Sequence, residues 1–142
     1  PDPWLRDRVT RQGDLSHYNS CNVLSLHALL GAYSGEGAQW LDELRPVLAD
    51  NIRYACDFIA AHFPGVQVMQ PQGTYMLFLD CAAWLQEHHM TLRELEERGA
   101  RAGVIWQDGA AFAWPDSIRM NLALPHSRLV EAMERLRVHA FC

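Results

Sequence analysis

The 142-residue sequence predicts an α+β fold, a small mixed sheet with helices on one face. Three observations predict it. Helical periodicity dominates two stretches, before residue 64 and after residue 126, and a shorter one between them. Short apolar strands flanked by glycine and proline fill the gaps. The element order is then helix, long helix, strand, strand, helix, strand, strand, helix. No glycine-rich phosphate loop follows any strand, so a dinucleotide fold is not indicated.

Composition narrows the field. A chain this long buries roughly 68–70% of its unfolded surface, enough for one real core. A net charge of −5 argues against non-specific nucleic-acid binding, which needs a basic footprint. No apolar run approaches a membrane span, and PDPWLRDRV has no signal-peptide apolar region. All twelve cationic residues are arginine, so no side chain can form a Schiff base through a lysine amine. Cys21, Cys56, Cys81 and Cys142 are widely spaced, which favours a reduced, cytoplasmic chain. Cys81 with His88 or His89 matches no standard zinc spacing, and no metal site is expected.

Along the chain, residues 1–19 read as an extended lead-in, in which Arg6–Arg11 could form one helical turn. Val23, Leu26, Leu29, Leu30 and Tyr33 recur at helical spacing, with Ser20 or Asn22 as cap. Ser34-Gly35-Glu36-Gly37 breaks that helix. Residues 38–63 carry the longest apolar stripe, from Trp40 through Ile52, Phe58 and Phe63. Pro46 lies inside it, so the helix either bends there or starts close to Arg45. Pro64-Gly65 ends it. Val66–Gln70 is a strand, Pro71-Gln72-Gly73 a turn, and Thr74–Leu79 a strand apolar on both faces, hence central. A short helical turn surrounds Trp84-Leu85. Thr91-Leu92-Arg93-Glu94 is a capping box opening an amphipathic helix that ends near Gly103. The last helix buries Leu129, Val130, Met133 and Leu136.

The stretch 103–124, GVIWQDGAAFAWPDSIRMNLAL, reads as strand, turn, aromatic loop, strand. Its second strand alternates. Ile118, Met120, Leu122 and Leu124 form the apolar face, and Ser117, Arg119, Asn121 and Ala123 form the other. Arg119 and Asn121 therefore project together from a rigid element. A guanidinium so placed can grip a carboxylate or phosphate through paired hydrogen bonds. It can equally sit in a surface ion pair of little energetic weight.

Four pieces in order resemble the C-terminal part of the class I/II pyridoxal-phosphate-dependent aminotransferases, in their cystathionine β-lyase-like (C–S lyase) branch. They are Ala32-Tyr33 with Gln39–Leu44 and Asn51; Gln72-Gly73-Thr74-Tyr75 with Asp80; Gly103-Val104 with Gly109 and Phe112; and Ile118–Ala123 with Pro125. The resemblance covers roughly residues 15–141. It implies that residues 20–142 are the family's small C-terminal domain. Residues 1–19 would lead in from a missing N-terminal large domain. It implies that Arg119 binds the α-carboxylate of an amino-acid substrate, with Asn121, Tyr75, Gly73 and Asn19 near it. Ala113 and Asp108 replace the family's usual glycine and proline, which bears on the loop near the pocket.

The resemblance also implies pyridoxal phosphate in the intact enzyme, and a homodimer. The cofactor's lysine and phosphate-binding groups would lie in the large domain. The isolated chain is therefore expected to bind no cofactor and to turn nothing over. The competing expectation is a non-catalytic binding or dimerisation module that kept the fold.

Overall fold

A computed structural model describes residues 2–17 and 22–142. The chain divides into two compact units, Pro1–Glu43 and Leu44–Cys142.

The first unit holds α1 (Pro3–Leu15), α2 (Val23–Ala32) and the start of α3 (Gly35–His62). The lead-in is thus largely helical rather than extended. Asp2 caps α1 by accepting from the Trp4 amide, and Pro3 at the first helical position loses no needed donor. Asn22 caps α2 by accepting from the Ser25 amide at 2.9 Å. The predicted break before α3 shrinks to Tyr33 and Ser34. The Ser34 hydroxyl donates to the Gly31 carbonyl and accepts from the Gly37 amide, so it closes one helix and opens the next. A Cβ at Gly37 would come within 2.3 Å of the Ala32 carbonyl oxygen, so glycine is required there. Neither α1 nor α2 buries a residue, and Leu24 and Tyr33 of the α2 segment are 81% and 86% exposed.

α3 runs as one helix through Pro46, and its buried residues begin at Asn51. In the second unit it is followed by β1 (Gln67–Val68), β2 (Met76–Asp80), α4 (Ala82–Glu87), α5 (Leu92–Arg101), β3 (Gln107–Asp108), a 3-10 turn (Gly109–Phe112), β4 (Ser117–Asn121) and α6 (His126–His139). The sheet order is β1-β2-β4-β3. Every pairing is antiparallel, where a mixed sheet was predicted, because β2 and β4 run opposite ways and each takes an edge strand antiparallel to itself. The α+β class stands.

Ile52, Ala55, Phe58 and Ile59 of α3, Leu77 and Leu79 of β2, Ile118 and Met120 of β4 and Leu129, Met133 and Leu136 of α6 form one buried core with Trp84 and Leu95. Each fully buried side chain of this size stabilises the fold by roughly 1.5–3 kcal/mol. β2 is central as predicted, but only Leu77 and Leu79 are buried. Met76, Phe78 and Asp80, on the opposite face, are half-buried.

The capping box forms: the Glu94 amide donates to the Thr91 hydroxyl, while the Glu94 carboxylate accepts from the Thr91 amide at 2.8 Å. Those bonds hold the Glu94 carboxyl below the usual glutamate range. Gly99, which costs α5 some intrinsic stability, makes room for Trp106: a Cβ there would lie 2.2 Å from the indole.

One buried polar residue ties helix to sheet. Asn51, fully buried on α3, donates from Nδ2 to the carbonyls of Leu122 and Leu124, both at 2.9 Å. Its Oδ1 lies 3.0 Å from Nδ1 of His126. Both amide hydrogens are used, so Oδ1 is the acceptor and His126 carries its proton on Nδ1. Replacing Asn51 with alanine removes both bonds: the Leu122 carbonyl keeps the Leu124 amide, but the Leu124 carbonyl is left without its donor. Urea unfolding of Asn51→Ala should show a loss of about 2–4 kcal/mol. A loss under about 1 kcal/mol would show that the amide does not anchor the end of β4.

Candidate anion-binding face of the sheet

The alternation of β4 sends Ile118 and Met120 inward and leaves Arg119 and Asn121 on the other face, as the sequence predicts. Register places Arg119 opposite Phe78 of β2 on one side and Gln107 of β3 on the other. Asn121 lies opposite Met76. Ser117, expected on the open face, is instead 1% exposed. The chain after β3 folds back over it, and its hydroxyl donates to the Trp114 carbonyl at 2.7 Å.

That returning loop is tightly built. Asp108 caps the 3-10 turn by accepting from the Ala110 amide at 2.7 Å. Ala113 turns the chain with φ 59°, and the Trp114 amide returns to the Gly109 carbonyl. The Asp116 carbonyl accepts from the Cys81 amide. Gly109 has no room for a side chain, since a Cβ would lie 1.8 Å from the Ser117 hydroxyl and 2.8 Å from two carbonyl oxygens. The loop sets Phe112 edge-to-face on Phe78, with centroids 5.5 Å apart and planes at 84°. The Arg119 guanidinium carbon stands 4.2 Å from the Phe112 ring centroid.

Arg119 is half-buried, and its side chain makes no ion pair or hydrogen bond among the described residues. Its Nε is buried and unpartnered. Its terminal nitrogens are not among the buried, unpartnered atoms. The contrast with the other cations is informative. Glu97 engages both Arg93 and Arg101, Glu131 engages both Arg128 and Arg135, and Arg137 pairs with Glu134. Those pairs are exposed, and each contributes little.

The remaining predicted site residues do not all gather there. Asn121 is exposed, and its Oδ1 accepts from the Ala123 amide at 2.8 Å, so half of its amide shapes the turn after β4. Gly73 and Tyr75 line a separate groove of about 450 Å³ between residues 70–75 and Arg45, Leu48, Ala49, Ile52 and Arg53 of α3. Thr74, in the same groove, has φ 68°, a conformation that β-branched residues rarely adopt. Asn19 lies outside the described residues. A groove of about 420 Å³ lined by Arg98, Arg101, Ala102, Arg135 and His139 is distinct from both. Sequence reasoning named Phe112 only as part of a motif and did not single out Phe78. The one available signal was that β2 reads apolar on both faces.

Among the described residues no cluster of histidine, cysteine or acidic side chains could hold a metal ion. Among the same residues no helix is long and apolar enough to cross a membrane. Cys81 is fully buried and its thiol is pushed up to about 12, chiefly by burial and then by Asp80 and Asp116, so it is a neutral core group.

No protein-family model matches the chain. It is 33% identical over 122 residues to Protein MalY of Escherichia coli (strain K12), across 83% of this chain and 30% of that protein. It is 35% identical over 131 residues to cystathionine beta-lyase of Corynebacterium glutamicum, across 90% of this chain and 31% of that protein. Cystalysin from Treponema denticola, whose crystal structure contains a pyridoxal 5'-phosphate cofactor, matches with a TM-score of 0.80 at 27% identity, covering 97% of this chain and 34% of that chain. The chain spans about a third of the length of the curated relatives it matches.

The crowding at Gly109 yields a direct test of how the loop is held. Gly109→Ala should lower stability by about 1–3 kcal/mol, through overpacking against backbone that cannot yield. It should also abolish the nuclear Overhauser contacts between Phe112 and Phe78. Retention of both stability and contacts would mean that the loop is not built as described.

Proposed function

We propose a function from one premise: the chain belongs with the C-terminal part of the class I/II pyridoxal-phosphate-dependent aminotransferases, in their cystathionine β-lyase-like branch. On this proposal the chain is the small domain of such an enzyme, with Arg119 as the clamp for the α-carboxylate of an amino-acid substrate. The observation that carries the reading is a half-buried guanidinium without a carboxylate partner, on the rigid centre of a sheet. A carboxylate held in the guanidinium plane by two parallel hydrogen bonds is fixed in orientation as well as position, and the α-carbon attached to it is fixed with it. Asn121 would contribute through its amide nitrogen. Gly73 and Tyr75 would border the substrate's approach, and Asn19 would reach the site from residues 1–19, the segment leading in from the large domain.

The residues present do not make a place for pyridoxal phosphate. The chain has no lysine amine, and no glycine-rich phosphate loop follows a strand. The cofactor, with the bond-breaking chemistry it supplies, belongs on this proposal to the large domain that precedes residue 20 in the intact homodimer. The small domain binds, orients and excludes water. The isolated chain would catalyse neither transamination nor β-elimination. Among the described residues Cys56, Cys81 and Cys142 are free thiols, which supports a reducing, cytoplasmic setting on this proposal.

A second reading, a non-catalytic binding or dimerisation module, is favoured by α2. It is apolar around most of its circumference yet buries nothing within its unit, and such a face calls for a partner. Static light scattering separates the two. Tight self-association without carboxylate binding supports the module, and saturable carboxylate binding supports the clamp.

The clamp is tested on the chain itself by titrating acetate or L-alanine and following backbone amide shifts. One bidentate pair predicts saturable shifts around Arg119 with a dissociation constant on the order of 10 mM, about −2.7 kcal/mol. Arg119→Gln should abolish them. Shifts of equal size and distribution in Arg119→Gln would contradict the reading.

A further inference from the structure

We propose that Phe112 is a positioning residue for the Arg119 clamp, a shelf that holds the guanidinium plane so that its terminal nitrogens face outward. This rests on the reading of Arg119 as an anion clamp and assigns a role to a second side chain that never touches the anion.

A long side chain with several rotatable bonds must lose freedom when it grips a ligand, and that loss weakens binding unless something has ordered it beforehand. A carboxylate ordinarily does this ordering in proteins, but it would also occupy the donor edge. An aromatic ring does not. It attracts the cation through its face, whereas a carboxylate binds in the guanidinium plane. The two interactions use orthogonal directions and can coexist.

The structure places such a ring at the right distance. The Arg119 guanidinium carbon is 4.2 Å from the Phe112 centroid, well inside the range of a cation–π contact. Phe112 is itself 45% exposed, so burial alone does not account for an aromatic there. Its ring is fixed from behind by Phe78, edge-to-face at 5.5 Å. Its backbone is fixed by the 3-10 turn, by the Asp108 cap and by the tight packing of Gly109 on Ser117. Phe78 and Arg119 are register partners, so the supporting ring and the supported cation hang from adjacent strands of one ladder. The buried, unpartnered Nε fits the same scheme. A donor left without an oxygen acceptor is costly in a fold, and the electron-rich ring face beside the cation offsets part of that cost.

The test compares two variants by nuclear magnetic resonance on the whole chain. Phe112→Leu keeps an apolar side chain and removes the ring face, and Phe112→Tyr keeps the ring. Acetate is the probe. Phe112→Leu should weaken acetate binding about two- to five-fold, the factor expected of a partly exposed cation–π contact. Phe112→Tyr should bind within about two-fold of the parent. Before any acetate is added, the Arg119 side-chain protons should show upfield ring-current shifts that vanish in Phe112→Leu and persist in Phe112→Tyr. A merely structural Phe112 would not produce that pattern.

Unchanged acetate affinity in Phe112→Leu, with the ring-current shifts lost, overturns the role of Phe112 while leaving the clamp intact. Absence of saturable binding in the parent overturns both. Ordinary Arg119 proton shifts in the parent overturn the shelf without recourse to any variant.

Discussion

The amide of Asn51 is the constraint on which the rest of the second unit depends. It is fully buried, and it grips two carbonyls beyond the end of β4 from a helix on the opposite side of the core. A strand's side chains alternate with a period of two, so a slip of one residue would turn every inward side chain outward. With the end of β4 pinned, Ile118, Met120 and Leu122 have only one way to face. Arg119 then has only one way to face as well. A hydrogen-bond pair on the buried side therefore sets the geometry of a cation on the exposed side. A well-satisfied buried polar group commonly acts this way, costing little when complete and leaving few alternatives.

The exposed side is arranged with equal economy. Five arginines on α5 and α6 pair with glutamates at the exposed surface, four of them two to a glutamate, and their contribution is modest. Arg119 is set apart by its surroundings. Strands flank it on both sides, a ring lies against its face, and it makes no ion pair among the described residues. A half-buried cation with a buried, unpartnered donor is an unfavourable thing for a fold to maintain. On the functional proposal, its place on an interior strand serves an anion supplied from outside the unit. That is why the functional proposal rests on this residue rather than on either surface groove.

Much of this was legible in the residues alone. The alternation from Ser117 to Leu124 placed Arg119 on the open face, and the capping box at Thr91 and Glu94 named the start of α5. What was not legible required knowing which distant segments meet. Asn51 and His126 are 75 residues apart, and nothing local marks their hydrogen bond. Gly99 reads as a weak point in a helix until the Trp106 ring is seen to fill the space that a methyl would take. Ser117 belongs by pattern to the wet face, but the loop from Gly109 covers it. The apolar character of Phe78 marked β2 as buried on both faces, whereas its outer side is half-open and meets Phe112. Pro46 left open whether the helix bends there or starts close to Arg45, and the helix runs through it from Gly35. At Gly99, Ser117 and Phe78 the local pattern was read correctly and distant packing decided the outcome.

The most direct measurement is a crystal structure of the chain grown in the presence of formate. The account predicts a formate ion lying in the guanidinium plane of Arg119, with its two oxygens against the two terminal nitrogens and the Phe112 ring against the guanidinium face. A guanidinium turned inward to an acidic residue of the chain, with formate bound elsewhere or nowhere, would contradict it.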